Sequence, residues 1–312
     1  MRCCCYFLWL TAILFYSCTA GRVNGLRVAT LQESYCSPPA YIRISKAGVT
    51  GSTPEVLEKN KVLRPYFSDQ SILILHALDL TADMYRQVAA GKDTLMADRV
   101  EMTVTGSKIH SRILMALSEI NAAAAELDCE GERTDQIAAY IDNINSSRNN
   151  RLVVASIALG AVAAIAGALI ENDGLNKGVA IGAGVAGAGL GLSTLNPKGK
   201  SVSFYHRRNL LRDVWRQEVS GDFTPFVAYM LTEKKFSNSG TSSLLLNLKN
   251  RWVAYQFNGS EQDGNKSVIF SDGGRYTAAD LHARSAMINQ LQAVIRSVNQ
   301  QINYLLVEMN GQ

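Results

Sequence analysis

The sequence predicts a mostly α fold: an elongated helical bundle or coiled coil that carries an apolar, Gly/Ala-rich helical hairpin and follows an irregular N-terminal extension. Three observations predict it. Apolar residues recur at alternating steps of three and four in two separate stretches, which places them along one seam of a helix. Two uncharged runs, 152–170 and 178–195, each approach the roughly twenty residues that a helix needs to cross a bilayer. Four of the six prolines lie before residue 66, so helical periodicity is broken early and little afterwards.

Residues 1–20, MRCCCYFLWLTAILFYSCTA, place Arg2 before an apolar core from Tyr6 to Tyr16 and then small or polar residues. That is the layout of a secretory signal peptide, with a core too short to span a membrane comfortably. Ser17-Cys18 at the end of the core resembles a bacterial lipoprotein lipobox, which implies lipidation of Cys18 as the new N-terminus. Phe15 and Tyr16 stand where that pattern has smaller residues, and cleavage after Ala20 is the alternative. Cys3, Cys4, Cys5 and Cys18 belong to this segment, which leaves Cys36 and Cys129 for the mature chain. In an oxidising compartment these two are a candidate disulfide, with two unpaired thiols as the alternative.

Residues 21–70 form the irregular extension, punctuated by Pro38, Pro39, Pro54 and Pro65. A helix is expected from Ser71 to Ala90, closed by Gly91. The body, 71–151, then carries the longest regular segment: Ile109, Ile113, Ala116, Ile120, Ala123 and Leu127 share one seam. Ile137, Tyr140, Ile141 and Ile144 resume it, with Gly131 expected as a kink or interruption. Only the polar SSRNNR separates this helix from Leu152, so a single helix is expected to run through the junction as a rigid lever.

The hairpin spans 152–195. Leu152 to Ile170 and Gly178 to Leu195 are the two spans, joined by a short polar turn. Gly178, Gly182 and Ala186 recur every fourth residue, as do Ala180, Gly184 and Ala188; Gly187 and Gly191 repeat the step, and Gly160 and Gly167 lie in the first span. Small residues at that spacing let helices approach closely in lipid. There the glycine penalty measured in water shrinks, because an unsatisfied peptide group costs several kcal/mol. In this pattern the hairpin is similar to glycine-zipper segments of bacterial envelope lipoproteins and other membrane-active proteins. The resemblance is confined to the hairpin.

The last region, 196–312, is expected to hold a helix from Tyr205 to Val219, a helix start at Thr224-Pro225, a helix from Thr241 to Tyr255, a surface loop from Asn258 to Lys266, and a short strand from Ser267 to Phe270. It ends in a heptad helix: Leu281, Ile288, Leu291, Ile295, Val298, Ile302, Leu305 and Met309 alternate by three and four, behind a Thr277/Asp280 capping box. Pairing with the Ile109 seam of the same chain is expected, and homo-oligomeric pairing is the alternative.

The residues point away from an enzyme. His76, His110, His206 and His282 have no metal-ligand spacing, and Cys36 and Cys129 form no CxxC pair. Gly182 to Gly187 spells GxGxxG without a preceding strand or a following acidic residue, so no dinucleotide is expected. No cofactor, metal, small-molecule substrate or nucleic acid is indicated, and a net charge of +4 is too mild for a nucleic-acid partner. The basic run His206-Arg207-Arg208, with Arg212, is expected to meet lipid headgroups or solvent. Arg148 and Arg151 precede the hairpin, and Lys198, Lys200, Arg207 and Arg208 follow it. The positive-inside rule would put both flanks in the cytoplasm, in conflict with export. The expected partner is therefore a lipid bilayer reached after export of the whole chain. The expected role is a non-enzymatic, membrane-anchored structural or assembly component of the cell envelope. The alternative is a secreted pore-forming or membrane-perturbing effector, resembling helical-bundle toxins that hide an apolar hairpin. A third reading makes the hairpin the core of a soluble bundle.

Overall fold

One helix is far longer than any other among the described residues. The computed structural model describes residues 36, 51–89, 96–170, 172–194, 199–206, 208–219 and 221–311. In chain order these form α1 (Thr53–Lys59), α2 (Asp69–Ala77), α3 (Thr81–Ala89), α4 (Met96–Leu169), α5 (Asp173–Thr194), β1 (Ser201–Tyr205), α6 (Leu210–Arg216), α7 (Pro225–Thr232), α8 (Leu244–Tyr255), α9 (Glu261–Lys266), β2 (Gly273–Thr277) and α10 (Ala278–Asn310). Short 3-10 turns occupy Lys61–Leu63, Lys234–Phe236 and Val268–Phe270. The fold is mostly α, with a single antiparallel β1–β2 ribbon among the described residues.

The 74 residues of α4 extend about 110 Å at 1.5 Å per residue. The helix passes unbroken through Gly131 and through the polar SSRNNR junction. Gly131 therefore does not kink or interrupt it, and its role is close approach. A Cβ there would lie 3.0 Å from Asn289 Oδ1, and Ser285 Oγ donates to the Gly131 carbonyl at 3.1 Å. The first two-thirds of α4 packs against α10, whose N-terminus is held by the Thr277/Asp280 capping box. Contacts run backward along α4 as α10 advances, from His282 with Asp142, through Ser285 with Gly131, to Gln292 with Ala124, so the pair is antiparallel. Ile109, Ile113, Ala116, Ile120 and Leu127 face inward on one side, and Leu281, Ile288, Leu291, Ile295, Val298, Ile302 and Leu305 on the other. Each fully buried Leu, Ile or Val contributes about 1.5–3 kcal/mol relative to exposure.

The smaller helices cover this pair. The expected single helix from Ser71 to Ala90 is two, α2 and α3, because Asp79 takes a left-handed φ of 55° and Leu80 N donates to Leu75 O across the break. Gly91, the expected cap, lies outside the described residues. The N-terminal extension, where described, is not wholly irregular: Ser52, Pro54 and Glu55 start α1 through a capping box. The expected helix from Tyr205 to Val219 is only α6, because the residues just before it are drawn into β1 by pairing with β2. Ser267 to Phe270 is a 3-10 turn, and the strand lies after it. Asn258 to Lys266, expected as a loop, contains α9, capped by Ser260. Thr224 and Pro225 do start α7, and Ser243 starts α8 three residues inside the expected range.

Candidate membrane-facing hairpin

Past the N-terminus of α10, the long helix packs along α5 among the described residues. The facing seam of the hairpin consists of half-buried residues at heptad spacing: Leu152, Ser156, Leu159, Ala163 and Gly167 on α4, and Asn176, Val179, Ala183, Gly187 and Leu190 on α5. No residue of α5 is buried. Ile157, Leu169, Ile181, Val185 and Leu192 are each about two-thirds or more exposed. Both helices are long and apolar enough to cross a membrane, and no part of either apolar stretch is buried within the protein. Contiguous exposed apolar surface of this kind marks an interaction site.

Both ends of the hairpin are tied by asparagine. At the tip Asn172 Oδ1 accepts from the backbone N–H groups of Gly174 and Leu175, satisfying donors at the start of α5. Asn176 Nδ2 donates to Gly167 O at 3.1 Å and so clasps the two helices together. Lys177 pairs with Asp173 at 2.7 Å, one helical turn away. At the base Asn145 Oδ1 accepts from Lys200 N at 2.9 Å. Gly199 beside it has a φ of +57°, and a Cβ there would stand 2.5 Å from Asn145 Nδ2, so glycine is required for the chain to leave the hairpin against α4. The sequence did not single out these clasps, because Asn145 is one of four asparagines between 143 and 150 and Asn176 shares the turn with Asn172.

The glycines sit differently from the expectation that they line the contact between the spans. A Cβ added at Gly160, Gly178, Gly182, Gly184, Gly187 or Gly191 would meet nothing within 4 Å, whereas at Gly167 it would meet Asn176 Oδ1 at 3.2 Å. Gly178, Gly182, Gly184 and Gly191 lie on exposed surface. The seam takes Gly167 and Gly187 with Ser156, Ala163 and Ala183 between leucines and Val179, while Gly160, Gly178, Gly182, Gly184 and Gly191 face outward. The GxGxxG letters from Gly182 to Gly187 lie inside α5 and form no loop.

The basic run after the hairpin is also not where it was expected. His206 is buried, its ring edge-on to Phe204 and Tyr276, with Nε2 2.8 Å from the Tyr276 hydroxyl. Burial, reinforced by the Arg284 and Arg133 guanidiniums, pushes its pKa down to about 2, so the ring is neutral. Arg208 is engaged with Glu126 and Asp222, and Arg212 with Asp272 and Asp213; Arg207 lies outside the described residues. Of these side chains Arg208 reaches α4, through Glu126. Beneath them Arg133, fully buried, pairs with Glu130 and lies 4.5 Å from the Phe204 ring centroid, a cation–π contact. Arg284 donates to Asn209 and to Ile269 O, and burial lowers its pKa to about 10. Exposed cations at the hairpin base are instead Arg148, Arg151, Lys200 and Arg275.

Cys36 and Cys129 form a disulfide that ties a residue of the N-terminal extension to the middle of α4. Cys18 lies outside the described residues. Of the remaining histidines, His76 is on α2 and His110 Nδ1 lies 2.8 Å from Gly106 O on α4. His282, on α10, stands between two carboxylates of α4, at 3.0 Å from Asp135 and 2.8 Å from Asp142, a pairing that spacing along the chain did not reveal. Among the described residues no group of three or more His, Cys, Asp or Glu side chains is placed to hold a metal ion. Fold and site thus define a mostly α protein with an apolar hairpin that is exposed among the described residues. Comparison with known protein families, with curated proteins and with solved structures found no match.

Proposed function

We propose that the protein is an exported, non-enzymatic component of the cell envelope, anchored in a bilayer through its α4–α5 hairpin and acting as a structural or assembly element. The observation that carries this reading is that two apolar stretches of bilayer length bury no residue and touch along a half-buried seam, on a protein that elsewhere buries its apolar seams. In water such a surface is unfavourable by about 25 cal/mol per Å² relative to an apolar environment. In lipid the exposed valines, isoleucines and leucines have their solvent, and both helices satisfy their own backbone groups. The Cys36–Cys129 bridge suits an oxidising compartment. The signal-like N-terminus and Cys18 add a lipid attachment to the hairpin in this reading. The helical body is then carried at the membrane by the same helix, α4, that enters it.

An effector that hides its hairpin until it meets a target is less well supported, because the described helices do not cover it. The reading of the hairpin as a soluble core loses support for the same reason. Alkaline carbonate washing of membranes from cells expressing the full chain or Cys18→Ala tests anchoring. Both forms are expected to stay in the pellet, the variant held by its hairpin. Release of both into the supernatant overturns the proposal.

A further inference from the structure

We propose that the base of the hairpin is a docking surface for anionic lipid, with Arg148, Arg151, Lys200 and Arg275 forming a collar at the headgroups while the hairpin enters the hydrocarbon core tip first. The inference rests on the anchoring reading above and adds lipid class, depth and direction to it. Arg148 and Arg151 are exposed in the last two turns of α4 before Leu152, and no carboxylate pairs with either among the described residues. Lys200 is exposed where the chain leaves the hairpin, and its backbone is pinned to Asn145 of α4, so it sits on the same level. Arg275 reaches that level from β2, donating to Ser201 Oγ at 2.9 Å. The nearest acid back along α4, Asp142, is engaged by His282, and Asp280 by the α10 cap. The base therefore carries an excess of positive charge, its four cations unpaired with the two engaged carboxylates.

The dimensions agree with this placement. From Leu152 to Leu169 the helix rises about 27 Å, close to the roughly 30 Å thickness of a hydrocarbon core. With arginines at one headgroup layer, the tip reaches the other. Charge at the tip is low: Lys177 and Asp173 cancel, Glu171 leaves one negative charge in the turn against the four cations at the base, and Asn172 and Asn176 spend their hydrogen bonds on the hairpin's own backbone. That tip is the end cheaper to carry across. Four cations at the base are held at the anionic surface, each contributing about 1 kcal/mol there, or about a fivefold gain in binding.

Flotation of the detergent-purified full chain with vesicles tests this. Vesicles of phosphatidylcholine alone are compared with vesicles containing phosphatidylglycerol, for the native chain, the Arg148→Gln/Arg151→Gln double variant and the charge-keeping Arg148→Lys/Arg151→Lys variant. The native chain is expected to bind both, and the anionic vesicles more tightly. The glutamine variant should lose about twenty- to thirtyfold on anionic vesicles only, the lysine variant should retain the preference, and added salt should shrink it. Equal binding to both vesicles, or an unchanged preference in the glutamine variant, overturns the collar and leaves anchoring standing. Failure to bind either vesicle overturns both.

Discussion

His282 bridges Asp135 and Asp142, and its ring must carry both protons to donate to both carboxylates. The hydrogen bond to Asp142, with that to Asp135, holds its pKa above the ordinary histidine value against the opposing effect of partial burial. The stabilisation from this bridge is therefore complete below the unfolded value of about 6.5 and is lost as pH rises through the folded value. His282→Gln should melt a few degrees below the native chain at about pH 5.5 and converge with it at about pH 9, the effect kept small by solvent at this half-exposed site. An equal offset at both pH values would show that the ring only packs. His206 follows the opposite rule, since its folded pKa is depressed and its neutral form is the one the fold holds. The two histidines read alike in the chain. Burial among arginines or placement between carboxylates is what separates them, and neither neighbour is near in sequence.

Packing of α4 on α10 was legible because a three-four alternation has one physical interpretation, a seam that must be covered. The role of Gly131 was not, since a glycine in a helix costs the same whether it bends the chain or admits a neighbour. The structure separates the cases by what stands opposite. Gly131→Leu should destabilise by about 1–3 kcal/mol by forcing Asn289 and Ile288 away. Gly106→Ala, on the same helix with its nearest neighbour 3.9 Å off, should stabilise by about 0.5–1 kcal/mol. Thermal melts of the two variants check this directly, and a loss at both sites would mean that helix propensity plays no part. The β1–β2 ribbon was invisible in the sequence for a related reason. Ser201 pairs with Thr277 far along the chain, and five-residue strands containing serine and glycine carry little alternation of their own.

Across the whole molecule the disulfide joins residues separated by 93 positions, which includes α1, α2, α3 and the first part of α4. Closing a loop of that length removes much of the freedom of the unfolded chain, and reduction should lower stability by about 2–5 kcal/mol. A melt of the native chain with and without reductant measures it, with Cys129→Ser as the matched control that should not respond to reductant. Carbonate-resistant membrane association should survive reduction, because the hairpin lies beyond the bridge on α4. Release of the hairpin on reduction would mean that the bridge orders the anchor as well as the body.

By itself the sequence determined the helical class, the two seams, the continuity of the long helix and the length of the apolar spans, because each follows from local periodicity and composition. Only the tertiary structure decided which surfaces are covered: that most hairpin glycines face outward while Gly167 and Gly187 lie on the seam, that His206 and Arg208 are engaged in the body while Arg148 and Arg151 lie outside, and that two strands pair across the chain. Exposure depends on neighbours brought from far away in sequence, so the order of residues alone does not carry it.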